Sequence, residues 1–296
     1  MIRWAIVASL LLAAGSAWAE PASLDDYMKQ PRRAPSETFH YGAAPSQVAE
    51  LFLPQTKGPH PVVVLLHGGC FLQHYEGFPQ TSALAADLAL RGYAVWNVEY
   101  RKLGEAGAGF PGTFLDVAKA VDLLGVEAPK YGLDVGRVIA IGHSAGGHLA
   151  LWAAARSRLP ASSPLYTRDP LKIGAVISLA GIGDLKGQGK VFALPCGDDT
   201  LDRLVDAGHR AAPYADTSPA ELLPNSARVV MVHGVFDPVM PPYTGRDYAQ
   251  MVRKLGGSAD VVIIPNAAHF DLVIPTTDAW KTIIAVLDRE MKLLAH

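Results

Sequence analysis

From residue 48 onward the chain alternates short apolar runs of strand length with longer stretches of helical period, and this limits its folding options more than anything else. The runs lie at 48–53, 61–66, 93–98, 137–141, 173–179, 228–233 and 259–264, and the helical stretches at 83–91, 114–130, 145–156, 243–255 and 277–294. Strands that are apolar throughout are buried on both faces, which requires helices above and below them. The alternation therefore predicts an α/β fold with a mostly parallel central sheet and helices on both faces.

One strand-to-helix junction carries chemistry. The run Arg137-Val138-Ile139-Ala140-Ile141 leads into Gly142-His143-Ser144-Ala145-Gly146, and a helix-like stretch follows at once. A tight turn between a buried strand and a helix holds a serine hydroxyl in the open, so Ser144 is the candidate nucleophile. Gly142 and Gly146 suit such a turn because strand and helix must approach closely around a strained serine.

A serine nucleophile needs a base, and the base needs a carboxylate to orient it. Asp237 follows the run 228–233, and His269 follows the run 259–264. Both therefore fall beyond the carboxyl ends of predicted strands, where open α/β sheets place their ligands. Among the other histidines, His143 and His148 are tied to the serine turn and its helix and read as structural. His233 ends a buried strand and is expected to make a local hydrogen bond, while His74 and His209 lie in irregular segments. His40 and His60 have no supporting context. Asp271 and Asp198 are the rival carboxylates. Asp271 stands only two residues from His269, an awkward separation for an orienting contact, and Asp198 lies in an irregular segment.

An attacked ester carbonyl also needs donors for its developing oxyanion. His67-Gly68-Gly69-Cys70 follows the run 61–66, and its glycines let backbone N–H groups approach the carbonyl. The expected donors are the N–H groups of Gly69, Cys70 and Ala145.

With these residues the chain resembles the α/β-hydrolase superfamily, and within it the hormone-sensitive-lipase-like and kynurenine-formamidase-like esterases. His67-Gly68-Gly69 is similar to the family's oxyanion-loop motif, and Gly142-His143-Ser144-Ala145-Gly146-Gly147 to its extended serine motif. Glu99-Tyr100-Arg101 looks like the Tyr-Arg that ends a preceding strand. The resemblance spans residues 48–294 and implies a cofactor-free serine hydrolase acting through an acyl-enzyme on esters or formamides. Cys70 departs from it, standing where many relatives carry a third glycine or a bulky aromatic. The backbone donor is kept.

The ends of the chain add organisation. Residues 1–19 combine Arg3, an apolar run and small residues up to Ala19, the pattern of an export leader cleaved ahead of Glu20. The apolar run is shorter than the roughly 20 residues of a membrane span, and no second segment is apolar enough to anchor the mature chain. Residues 20–45, rich in proline, serine and charge, read as a surface-wrapping arm. A single α/β-hydrolase domain is expected over 46–296, with a lid-like insertion at about 181–224 where the alternation breaks down.

An exported chain meets an oxidising environment, so Cys70 and Cys196 are expected to form a disulfide, with two separate buried thiols as the alternative. The balance of 26 basic and 28 acidic residues points to neither nucleic acid nor an anionic membrane, which leaves a small-molecule ester as the partner. No metal motif of the His-Glu-x-x-His kind is present, and no metal or cofactor is expected. A formamidase or peptidase on the same fold is the nearest alternative. A ligand-binding protein without catalysis is the more distant one.

Overall fold

The structure is a computed structural model that describes residues 20–75 and 77–295. The expected leader, residues 1–19, lies outside the described residues.

Among the described residues eight strands form one sheet: β1 (Glu37–His40), β2 (Val48–Phe52), β3 (His60–Leu66), β4 (Ala94–Val98), β5 (Leu133–His143), β6 (Ala175–Leu179), β7 (Arg228–Gly234) and β8 (Ala259–Ile264). Their order is β1-β2-β4-β3-β5-β6-β7-β8. The pairs β1/β2 and β2/β4 are antiparallel, and every other pair is parallel. Residues 62–66 of β3 and 138–143 of β5 are buried throughout, as their unbroken apolar runs require.

The helices are α1 (Leu24–Met28), α2 (Ser82–Leu90), α3 (Gly112–Tyr131), α4 (Ala145–Ala154), α5 (Leu185–Cys196), α6 (Thr200–Val205), α7 (Pro242–Lys254) and α8 (Asp278–Leu293). Thr277 caps α8 by accepting the Trp280 N–H at 3.1 Å. The helix buries Trp280, Ile283, Ile284, Leu287 and Met291 on one face, each worth about 1.5–3 kcal/mol when fully buried. Trp280 Nε1 also donates to Asp87 at 2.8 Å, which joins α8 to α2.

This topology decides where a site can form. From β3 the chain crosses through α2 to β4, and from β4 it returns through α3 past β3 to β5. Parallel crossovers are right-handed, so α2 and α3 lie on opposite faces. The connections leaving β3 and β5 diverge, opening a crevice at the carboxyl ends of these neighbouring strands. Leu66 and Gly142 are in register there.

Three features depart from the sequence expectations. Within the arm 20–45, α1 and β1 are ordered elements, and Tyr27 is only 2% exposed rather than lying on the surface. The segment 181–224 contains the twelve-residue α5, where the sequence suggested only short helical pieces. Finally, β5 begins at Leu133 rather than at 137, because His60 and Pro61 pair with Leu133 and Asp134 before the register shifts.

Candidate active site

Ser144 follows β5 and caps α4, with φ 53° and ψ −119°. A non-glycine residue in that region is held by its surroundings at a cost of about 1–3 kcal/mol. The glycines on either side make the turn sterically possible. A Cβ on Gly142 would lie 2.0 Å from the Gly146 carbonyl oxygen, and one on Gly146 would lie 2.2 Å from that of Leu66. Strand, turn and helix are packed too closely for any side chain at either position.

The two later residues of the expected constellation meet. His269 Nδ1 donates to Asp237 Oδ2 at 2.8 Å, and both side chains are buried. The second carboxylate oxygen, Oδ1, accepts the N–H groups of Val239 at 2.8 Å and Met240 at 2.9 Å. Burial alone would raise the Asp237 carboxyl. The hydrogen bond and charge of His269, with the two backbone donors, outweigh it and hold the group below the usual carboxylate range.

The loop after β3 is unusual in its backbone. Gly69, Cys70 and Phe71 are consecutively left-handed, with φ of 102°, 53° and 59°. Cys70 forms a disulfide with Cys196, the last residue of α5, so the loop is fastened to the insertion. Ala145 is the first residue of α4, and its N–H has no partner within the helix.

Glu99 ties down both ends of this loop. His67 Nδ1 donates to the Gly68 carbonyl oxygen at 2.8 Å, and His67 Nε2 faces Glu99 Oε1 at 2.8 Å. At the far end the Phe78 N–H donates to Glu99 Oε2 at 2.9 Å. Lys102 Nζ donates to Glu99 Oε1 at 2.9 Å. Burial would raise the Glu99 carboxyl, but the neighbouring His67 and Lys102 prevail and hold it at about 2. In the sequence Glu99 stands out only within a strand-end motif, because its role rests on partners up to 32 residues away.

A cavity of about 240 Å³ joins these parts. Ser144, His269, Gly69 and Cys70 line it together with His143, Tyr75 and Pro195. Leu24, Tyr27, Val239 and Phe270 supply further apolar surface. Leu24 and Tyr27 come from the arm and were missed. Their sequence neighbourhood is polar, and its Ser23-x-x-Asp26 capping pattern marks a helix start without pointing to a cavity.

The remaining histidines take local roles. His143 Nε2 donates to the His269 carbonyl oxygen at 3.1 Å, and His148 Nδ1 to that of Ile182 at 3.1 Å. His233 Nδ1 donates to the Met240 carbonyl oxygen at 3.0 Å. His209 is exposed beside Asp206, and His74 packs against Tyr75. Of the rival carboxylates, Asp198 is exposed, and Asp271 accepts backbone N–H groups from Ala22 and Ala268. Among the described residues no group of three His, Cys, Asp or Glu side chains is placed to hold a metal ion.

A protein-family model described as BD-FAE matches residues 49–251, more than half of the chain. The chain belongs to the BD-FAE family. Curated proteins similar to this BD-FAE member include Esterase LipC of Mycobacterium tuberculosis, 26% identical over 247 residues, covering 79% of this chain and 59% of LipC. Another is Isoprenylcysteine alpha-carbonyl methylesterase ICME of Arabidopsis thaliana, 24% identical over 263 residues and covering 84% of this chain and 58% of that protein. The chain spans a little over half the length of these relatives.

Among solved structures, an inhibited esterase B from Lactobacillus rhamnosis superposes with a TM-score of 0.77 at 20% identity, covering 92% of each chain. Thermogutta terrifontis esterase 2 does so with a TM-score of 0.70 at 20% identity, covering 88% of this chain and 94% of that one. These likenesses show the fold, which is the expected α/β-hydrolase fold. The BD-FAE match leaves out the arm at one end and His269 at the other.

Proposed function

We propose that this chain is a carboxylic ester hydrolase working through an acyl-enzyme on Ser144. The observation that carries this reading is that His269, hydrogen-bonded to the buried Asp237 at 2.8 Å, lines the same cavity as a serine on a strained strand-to-helix turn. The names of the curated relatives, esterases and a methylesterase, support it.

In this reading Ser144 Oγ attacks the ester carbonyl carbon while its proton passes to His269 Nε2. Asp237 keeps Nδ1 protonated, so Nε2 is free to accept, and it stabilises the imidazolium that forms. The N–H groups of Gly69, Cys70 and Ala145 take the oxyanion, a contribution of around 3–4 kcal/mol per donor in comparable sites. The tetrahedral intermediate then collapses, and the alkoxide leaves with the proton from His269. Water repeats the sequence on the acyl-serine, returning a carboxylic acid and free Ser144. The cavity of about 240 Å³ lies below the roughly 300–1,000 Å³ of drug-sized sites, which favours a small ester.

The reading includes export, supported by the leader pattern of residues 1–19 and by the Cys70–Cys196 disulfide, a bond that persists in oxidising compartments. Turnover of p-nitrophenyl acetate, compared with a matched anilide and an N-formyl substrate, tests the reaction class. A burst of p-nitrophenol, then a slower steady state in which the ester is still turned over faster than the anilide and the N-formyl substrate, is expected. Faster cleavage of the anilide or the N-formyl substrate would replace the esterase reading with a peptidase or formamidase.

A further inference from the structure

The cavity beside Ser144 has a wall that the family match does not contain. The match begins at residue 49, yet Leu24 and Tyr27 of α1 line the cavity. They stand three residues apart and so share one face of that helical turn.

The docking of α1 is specific at each step. Ser23 accepts the Asp26 N–H at 3.1 Å while the Asp26 carboxylate accepts the Ser23 N–H at 2.9 Å, a capping box that closes the turn. One residue earlier, the Ala22 N–H donates to Asp271 Oδ1 at 3.2 Å, and Oδ2 of the same carboxylate accepts the Ala268 N–H at 2.8 Å. The arm and the segment leading into His269 therefore hang from one carboxylate. Tyr27 stacks on Phe270 with ring centroids 6.0 Å apart and meets the ring of His143 edge-on at 6.1 Å. Phe270 follows His269 directly, and His143 precedes Ser144.

Exposure separates the two arm residues. Tyr27, at 2%, closes the cavity from within, and Leu24, at 36%, stands at its outer edge. The Tyr27 hydroxyl is buried with no hydrogen-bond partner among the described residues, so it is the bulk of the ring that acts on the cavity.

We infer that α1 sets the size of the ester group this enzyme accepts, with Tyr27 as the closing wall and Leu24 as the rim. The inference rests on the reading of Ser144 as the nucleophile. It makes the arm a specificity element, and the group lodged against it, acyl or alkoxy, is a short one.

The test compares wild type, Tyr27→Ala and Tyr27→Phe in the full chain. Two series are run: p-nitrophenyl esters from acetate to octanoate, and acetates of alcohols of increasing length. In Tyr27→Ala the kcat/KM ratio of long to short substrates is expected to rise at least ~10-fold in one series, the scale on which apolar pockets discriminate added methylenes. Tyr27→Phe, which keeps the ring, keeps the ratio. Were Tyr27→Ala unable to fold, Leu24→Ala at the exposed rim is expected to shift the ratio in the same direction by ~3-fold, less than the ~10-fold of a fully enclosed methylene. A folded variant whose ratios stay at the wild-type value in both series, with all rates falling together, would reduce the arm to a brace and overturn the inference. Labelling by an alkyl phosphonate is followed on the same samples. Failure of wild type to label at Ser144 would overturn the nucleophile assignment separately, whatever the ratios show.

Discussion

His233 Nδ1 donates to the Met240 carbonyl oxygen at 3.0 Å, and the N–H of the same methionine donates to Asp237 Oδ1 at 2.9 Å. A buried histidine at the end of β7 thus braces the turn that fixes the carboxylate facing His269. Contacts of this kind hold Asp237 and His269 together although they lie 32 residues apart in the chain.

The first prediction separates orienting from bracing. Asp237→Asn is expected to lower kcat by ~10³–10⁴-fold, because the amide no longer holds His269 in the productive tautomer. His233→Leu removes only the brace and is expected to lower kcat by ~10–100-fold, the scale of a modest misplacement, with little change in KM. Steady-state kinetics on p-nitrophenyl acetate distinguish the two. Equal losses in both variants would mean that His233 does more than position the turn.

The second prediction concerns the disulfide. Cys70 and Phe71 are left-handed non-glycine residues, a conformation that persists only where the surroundings enforce it. The bond from Cys70 to Cys196 is one such constraint. The Leu103 N–H donating to the Phe71 carbonyl oxygen at 2.7 Å is another. Cys196→Ser is expected to cost about 2–5 kcal/mol of unfolding free energy. It should also lower kcat more than it raises KM, up to the ~10²–10³-fold of a lost oxyanion donor. Urea unfolding and kinetics on the same protein check both parts. Unchanged kcat in a destabilised variant would confine the bridge to stability.

A third prediction follows from buried groups whose ionisation is shifted. Burial pushes His148 down to about 4 and also lowers His143 and His233. Unfolded histidines return to about 6.5, so between these values the unfolded chain binds more protons. Their contribution to stability is fully present above about pH 6.5 and is lost as pH falls through each group's lowered folded value, about 4 for His148. Glu99, at about 2 when folded, acts lower. Its contribution is present above the ordinary carboxylate value of about 4.3 and is lost toward pH 2. Unfolding free energy measured between pH 8 and 3 is expected to fall in two overlapping stages, with a slope of up to ~1.4 kcal/mol per pH unit for each proton taken up. Glu99→Gln should flatten the lower stage, and it should reduce kcat by loosening both ends of the oxyanion loop. A stability curve level from pH 7 to 5 would contradict the histidine assignment.

Much of this was legible in the sequence for a physical reason. The central strands are buried on both faces, so they announce themselves as unbroken apolar runs, and the residues just beyond their ends inherit a known location. Ser144, Asp237 and His269 are of that kind. The arm was not legible, because the burial of Tyr27 depends on His143 and Phe270, more than a hundred residues away in the chain, and the burial pattern of β1 shows no apolar face. Helix α5 was obscured by Gly187, Gly189 and Pro195, which lower helix propensity locally. In the sequence Asp271 stands out only as a rival carboxylate two residues from His269. Its actual work, joining Ala22 to Ala268, needed the fold to be seen.

A fourth prediction addresses the serine turn. Gly146→Ala places a Cβ against the carbonyl oxygens of Leu66 and His67, at 2.2 and 2.3 Å. Backbone on both sides has to move, so the cost is expected to reach or exceed the ~1–3 kcal/mol typical of overpacking, with activity lost before the fold. Thermal melting and ester turnover compared in one preparation show the order. Retained activity in a destabilised Gly146→Ala variant would mean that the turn is less tightly determined than its contacts imply.

The most direct measurement is intact-protein and peptide mass spectrometry after treatment with an alkyl phosphonate. If Ser144 is the nucleophile activated by His269 and Asp237, wild type gains one adduct located on Ser144, Ser144→Ala gains none, and Asp237→Asn gains it far more slowly. Equal labelling of wild type and Ser144→Ala, or an adduct on any other residue, would contradict the account.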